Sequence, residues 1–86
     1  AKTAYDEGYQ SYRQGQFAEA IPNLAKAYQY DETNGDALFY LANSYRETGN
    51  LEKAREAYAQ VIELFPGTLK ASNSEGYLAQ MNNGGN

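Results

Sequence analysis

Laid against itself at an offset of 34 residues, the chain matches in chemical kind at position after position. Gly15 falls on Gly49, Phe17 on Leu51, Ala20 on Ala54, Leu24 on Tyr58 and Ala27 on Val61. At twice that offset, Glu7-Gly8-Tyr9 falls on Glu75-Gly76-Tyr77. A period of this size marks an array of supersecondary units, each covering an apolar face its neighbour cannot bury alone. The chain divides into residues 1–34, residues 35–68 and a partial third unit from residue 69. With 86 residues there is material for one small core and none for a second.

Within each unit the apolar spacing is helical. Ala1, Ala4, Tyr5, Gly8, Tyr9 and Tyr12 recur at three- and four-residue steps, and Phe17, Ala20, Ile21, Leu24, Ala27 and Tyr28 do so after a break. Gly15 and Gly49 stand where a helix end requires a left-handed residue, and Asn50 is placed to cap the helix that follows. Further starts are marked by Thr3 with Asp6 three residues on, by Asn34, and by Thr68 after Pro66-Gly67. The spacing predicts five helices over 3–14, 17–30, 36–48, 51–64 and 69–81. Gly8, Ala20, Ala27, Ala42 and Ala54 have little or no side chain, so paired helices can approach closely. A large residue at Ala20 or Ala54 is expected to overpack that contact by about 1–3 kcal/mol. Pro22 lies inside the second helix, removes one backbone hydrogen bond and predicts a slight bend there. Residues 82–86, Asn-Asn-Gly-Gly-Asn, have no apolar group to bury and are expected to form a flexible tail.

The composition removes most catalytic chemistry. There is no Cys and no His, so disulfides, thiolate or imidazole metal sites and nucleophiles paired with His are excluded. Asp6-Glu7, Asp31-Glu32 and Glu52 with Glu56 lie at helix starts or on polar faces, not in a pocket that would shift a carboxyl for acid-base work. Lys70 and Ser74 stand four residues apart without an oxyanion hole, and no loop has the Asp and Asn spacing of a calcium site. The expectation is a chain that is not an enzyme and uses no cofactor or metal. A net charge of −4 with scattered bases argues against a nucleic-acid partner, and no apolar run is long enough to span a bilayer. The start at Ala1, without Met or an apolar leader, reads as a domain excised or processed from a longer chain.

With the spacing in view, the chain resembles a tetratricopeptide repeat (TPR) domain. The second unit carries nearly the whole pattern in Leu38, Leu41, Ala42, Tyr45, Ala54, Tyr58 and Pro66, and the first keeps Gly8, Gly15, Ala20, Leu24 and Ala27. The first unit departs at Glu7 and Ser11, where an apolar residue and an aromatic are usual, and at Glu32 in place of proline. The resemblance covers residues 1–81. It implies an all-α, right-handed solenoid of antiparallel hairpins, with repeats at 1–34 and 35–68 and a capping helix at 69–81. The run Phe65-Pro66-Gly67-Thr68 with Lys70-Ala71 is similar to the ending of TPR domains in bacterial envelope proteins, which favours an extracytoplasmic setting.

In this family the first helices of successive repeats line a concave groove. The groove positions of this sequence are Lys2, Tyr5, Asp6, Tyr9, Tyr12 and Arg13, then Asp36, Phe39, Tyr40, Asn43, Arg46 and Glu47, then Lys70, Asn73, Ser74, Tyr77, Gln80 and Met81. Nine Tyr against three Phe and no Trp make the aromatic content unusual. Tyrosine suits peptide recognition, since a rigid ring supplies contact area while its hydroxyl bonds a backbone group. Tyr45 and Tyr58 belong to the family's own packing positions. Tyr5, Tyr9, Tyr12, Phe39, Tyr40, Asn43, Arg46, Lys70 and Tyr77 form the expected partner site, with Asn43 offering a bidentate amide contact to an extended peptide. Chaperone-binding TPR domains grip a terminal carboxylate with Lys, Asn and Arg; at those places stand Tyr5, Tyr9, Tyr40, Lys70 and Ser74, so only Lys70 agrees and a carboxylate clamp is not expected. The implied function is a non-catalytic module binding a protein or peptide. The alternative is a spacer or weak self-association domain of a larger envelope or secreted protein, docked through its last helix.

Overall fold

The computed structural model describes residues 3–84, so Ala1, the groove position Lys2 and residues 85–86 of the expected tail lie outside it. Its helices are α1 (Ala4–Arg13), α2 (Phe17–Tyr30), α3 (Gly35–Glu47), α4 (Leu51–Leu64) and α5 (Leu69–Gly84). Each packs on the next in sequence, and α1 also touches α3 as α3 touches α5. The molecule is thus a two-layer helical solenoid. First helices α1, α3 and α5 form one layer, and α2 and α4 wedge between them from the other side.

The ends of the helices follow from local chemistry. Thr3 and Asp6 form a capping box at α1, with Thr3 Oγ1 accepting from Asp6 N at 3.1 Å and Asp6 Oδ2 accepting from Thr3 N at 3.3 Å. Asn34 Oδ1 accepts from Ala37 N at 3.0 Å, and Thr68 Oγ1 accepts from Ala71 N at 3.1 Å. Gly15 and Gly49 take left-handed φ of 78° and 85°. In both turns the residue after glycine donates to the carbonyl five back, Gln16 to Ser11 and Asn50 to Tyr45. One expected cap is not made. The Asn50 side chain donates to Thr48 Oγ1 at 3.0 Å, inside the turn, and leaves the start of α4 without a side-chain acceptor.

The last helix runs to Gly84, past residue 81 where the apolar spacing stops. Asn82, Asn83 and Gly84 therefore carry helical backbone where a tail is expected; helix propagation adds a hydrogen bond per residue and does not require an apolar contact.

The core is continuous along the layers. Leu24, Ala20 and Leu41 form one buried cluster, and Leu38, Ala42, Ala54, Ala57, Tyr58, Val61 and Ala71 lie in the next. Tyr40 and Tyr45 touch both. Gly8 shows why small residues sit at the crossings. A Cβ there would lie 2.9 Å from the Leu24 side chain and 3.0 Å from its backbone nitrogen, so only hydrogen fits.

Candidate functional site

Aromatic side chains gather on the α1–α3–α5 layer. Tyr5, Tyr9 and Tyr12 follow one another at four- and three-residue steps, which places all three on one side of α1. Their rings stack at 5.8 Å for Tyr5–Tyr9 and 6.5 Å for Tyr9–Tyr12. Tyr40 of α3 tilts against this row, 5.2 Å from Tyr9 and 4.7 Å from Tyr12. Phe39 carries the contact onward, 5.9 Å from Tyr40 and 6.4 Å from Tyr77 on α5. The rings form an unbroken row across three helices. Tyr5, Tyr9, Tyr12, Tyr40 and Tyr77 are each half-buried, so ring edges and hydroxyls reach solvent while their bodies pack.

Under the row lies a polar knot. Asn43 Nδ2 donates to the Tyr12 hydroxyl at 2.9 Å, and the Tyr58 hydroxyl donates to Asn43 Oδ1. Arg46 Nη1 donates to the Tyr58 hydroxyl at 2.5 Å and to Asn43 Oδ1 at 3.3 Å. The guanidinium also stacks on Tyr77, 4.1 Å from the ring centroid, and its Nη2 bonds Glu47 at 3.0 Å. One amide therefore joins α1, α3 and α4, and one guanidinium joins that amide to α5. No buried side-chain polar atom among the described residues lacks a partner. Such a fully satisfied network holds the ring row in one arrangement.

The remaining charges near the row are also paired. Lys70 Nζ bonds Asp36 at 2.8 Å and lies 6.0 Å from the centroids of both Phe39 and Tyr40, and Arg13 lies 5.8 Å over Tyr9. The hydrogen bond to Asp36 raises the Lys70 pKa. Burial, with Asp36 next, pushes the Tyr5 hydroxyl up to about 12; burial likewise raises Tyr40, opposed by Lys70. Burial raises Tyr58 further, against the pull of Arg46. These hydroxyls therefore stay protonated at neutral pH and can both donate and accept, as Tyr58 does between Asn43 and Arg46.

The structure corrects several expectations at single residues. Asn43, only 4% exposed, spends both ends of its amide inside the knot and has none left for a bidentate peptide contact. Phe39, at 7%, is the buried link of the row, a packing ring with little surface of its own. Arg46 is half-buried and committed to four groups. Ser74 is fully buried with Oγ donating to Lys70 O at 2.7 Å, and Met81 packs on the core, so neither is a groove side chain. Asn73 and Gln80 are exposed. Sequence reasoning missed the Tyr58 hydroxyl, assigned to packing alone; a buried tyrosine needs a polar partner, and that requirement was the available signal.

A separate cleft of about 570 Å³ opens between the start of α1 and the end of α2, against Tyr5, Ala27, Tyr30 and Asp31. In the second repeat the matching place is narrowed by Val61 and Phe65, whose ring lies 3.3 Å from a Cβ built at Gly35. Asp31 has no ring to offer, and its carboxylate turns into hydrogen bonds with the Thr33 backbone and hydroxyl, which hold its pKa low.

The two-hairpin solenoid with its glycine turns agrees with a comparison against protein families, in which the tetratricopeptide repeat model matches residues 11–72. The chain belongs to the tetratricopeptide repeat family. Comparison with curated proteins and with solved structures returned no match. Repeats of this family are generally protein-interaction modules, and the fold is typically non-catalytic. The TPR assignment explains the layer structure: α1 and α3 are the first helices of two repeats, α2 and α4 the second, and α5 stands in the first-helix place of a third. No group of three or more Asp, Glu, His or Cys gathers among the described residues, and no described helix is long and apolar enough to cross a membrane.

Proposed function

We propose that this TPR domain holds a segment of a partner protein on the ring row of α1, α3 and α5, without catalysis. The observation that carries the reading is the row itself: five half-exposed tyrosines, Tyr5, Tyr9, Tyr12, Tyr40 and Tyr77, held from below by the Asn43–Tyr58–Arg46 knot. Rigid aromatic rings carrying a polar hydroxyl are the side chains that supply contact at little entropic cost. The contact surface of two and a half repeats is short, which places the affinity at the transient end of the scale. Capture of peptides from a random library by the wild-type chain and by Tyr9→Ala/Tyr40→Ala tests the assignment. The double variant is expected to lose the captured set; equal capture by both removes the row from the function.

A second reading has its own observation. Gly76 of α5 faces open space where its counterpart Gly8 meets Leu24, and Leu69, two turns earlier in the same helix, is 82% exposed. Among the described residues this side of α5 has no hairpin partner, and uncovered helix sides of solenoids are natural self-association contacts. Light scattering across a concentration series decides it: a rise in mass supports association through α5, and a strict monomer that retains peptide binding counts against it.

A further inference from the structure

The first repeat lacks a side chain that the second supplies. Three positions differ in size across the 34-residue period: Ala4 stands where Leu38 stands, Ala27 where Val61 stands, and Asp31 where Phe65 stands. In the second repeat Leu38 and Val61 are buried in one cluster and the Phe65 ring packs on it. In the first repeat the same place is the cleft between the start of α1 and the end of α2, with Ala4, Tyr5 and Ala27 as its apolar walls. The vacancy therefore has the chemistry of an aromatic ring.

A ring of that kind stands on the rim. Tyr30 borders the cleft and is 93% exposed, against 50% for its second-repeat counterpart Leu64. It stacks on no other described ring, and its hydroxyl bonds no described residue. The rim also carries one charge of each sign. Lys26 and Asp31 both border the cleft, and neither is ion-paired with another described residue. The two Thr33 bonds fall on Asp31 Oδ1, leaving Oδ2 open. A patch that holds a vacancy, a ring to fill it and both signs of charge is complementary to itself, which is what a two-fold contact between identical chains requires.

We infer that two copies of this chain pair about a two-fold axis at this end, with Tyr30 of each seated in the cleft of the other and Lys26 of each facing Asp31 of the other. The seated ring lies against Ala4, Tyr5 and Ala27 as Phe65 lies against the cluster of Leu38 and Val61. Two exchanged tyrosines bury roughly 300–500 Å². That is below the ~1,200 Å² at which stable interfaces begin, so the pair is transient and forms at high concentration. The pairing does not depend on what the ring row binds, and it uses α1 and α2, which do not touch α5.

The test is sedimentation equilibrium of the whole 86-residue chain over a concentration series. The wild type is expected to pass from monomer to dimer. Tyr30→Ser, which removes a side chain exposed in the single copy, is expected to weaken the dimer about tenfold. Asp31→Phe puts a ring into the cleft from within the same copy, and is expected to raise the melting temperature and weaken the dimer by a similar factor. Lys26→Asp and Asp31→Lys are each expected to weaken it about threefold. Their mixture is expected to recover wild-type strength, because both contacts between the copies then join opposite charges. Circular dichroism establishes that each variant is folded; should Tyr30→Ser or Asp31→Phe unfold, the charge variants and their mixture decide. A dimer that Leu69→Ser weakens and Tyr30→Ser does not lies on α5 and overturns the inference, as does a dimer that Asp31→Phe leaves at full strength. A wild type that stays monomeric throughout also overturns it; if Asp31→Phe then still raises the melting temperature, the cleft is left to a ring from another protein. None of these results bears on capture by the ring row.

Discussion

Asn43 carries more of this molecule than its place in the repeat suggests. Its amide accepts from Tyr58 and Arg46 and donates to Tyr12, so removing it strands two phenols and a guanidinium in a half-buried site. Asn43→Ala is expected to cost about 1–3 kcal/mol, read as a lower urea midpoint, because the fully buried Tyr58 hydroxyl loses its acceptor out of reach of water. Thr3→Ala, which removes an exposed cap at the edge of α1, is expected to cost about 1 kcal/mol in the same experiment. A smaller loss at Asn43 than at Thr3 would show that the knot is dispensable. The residue types at this knot were visible in the sequence, but their pairing was not. Asn43 and Tyr12 are 31 residues apart and Asn43 and Tyr58 are 15 apart, distances over which local periodicity says which side a residue faces and not which group it meets.

Among the helices, α1 and α5 carry the same Glu-Gly-Tyr run and set it in opposite surroundings. Gly8 is packed under Leu24, while a Cβ on Gly76 meets nothing within 4 Å. Gly8→Ala is therefore expected to destabilise by about 1–3 kcal/mol, since the clash includes backbone that cannot rotate away. Gly76→Ala is expected to stabilise by up to about 1 kcal/mol, the helix propensity gained with no contact opposed. Thermal melts of the two variants should move in opposite directions, and a shift of the same sign in both would mean that α1 and α5 are not in these different settings. The turn glycines behave as the sequence predicts, because a left-handed φ of 85° at Gly49 is a demand made by the backbone itself. Asn50 escaped prediction for a related reason. It satisfies the rule for a cap residue, yet Thr48 sits two residues away in the same tight turn and takes its amide.

Taken whole, the molecule buries the Tyr58 hydroxyl and partly desolvates those of Tyr5 and Tyr40, and that gives it an alkaline limit. Tyr5 is held up at about 12, and Tyr40 and Tyr58 are raised as well, against about 10 for an unfolded tyrosine. With the folded pKa above the unfolded one, the stability tied to these groups is whole below pH about 10 and is lost as pH rises through the folded values. Lys70, raised by Asp36, adds a loss of the same sign. The urea midpoint is expected to hold from neutral pH to about 9 and to fall above about 10, with a late-titrating class of tyrosines appearing as helical signal is lost. A midpoint that stays level into that range excludes a contribution from these phenols. The repeat was determined by the sequence alone through its 34-residue self-match, and so were the five helices, three of their caps and the aromatic side of α1, because each of these is set by spacing within a dozen residues or by one residue's backbone preference. Which rings stay open to solvent, and that Asn43, Arg46 and Phe39 are engaged in packing and hydrogen bonds between helices, only the tertiary structure decided, because burial and hydrogen-bond partners arise where α1, α3, α4 and α5 meet.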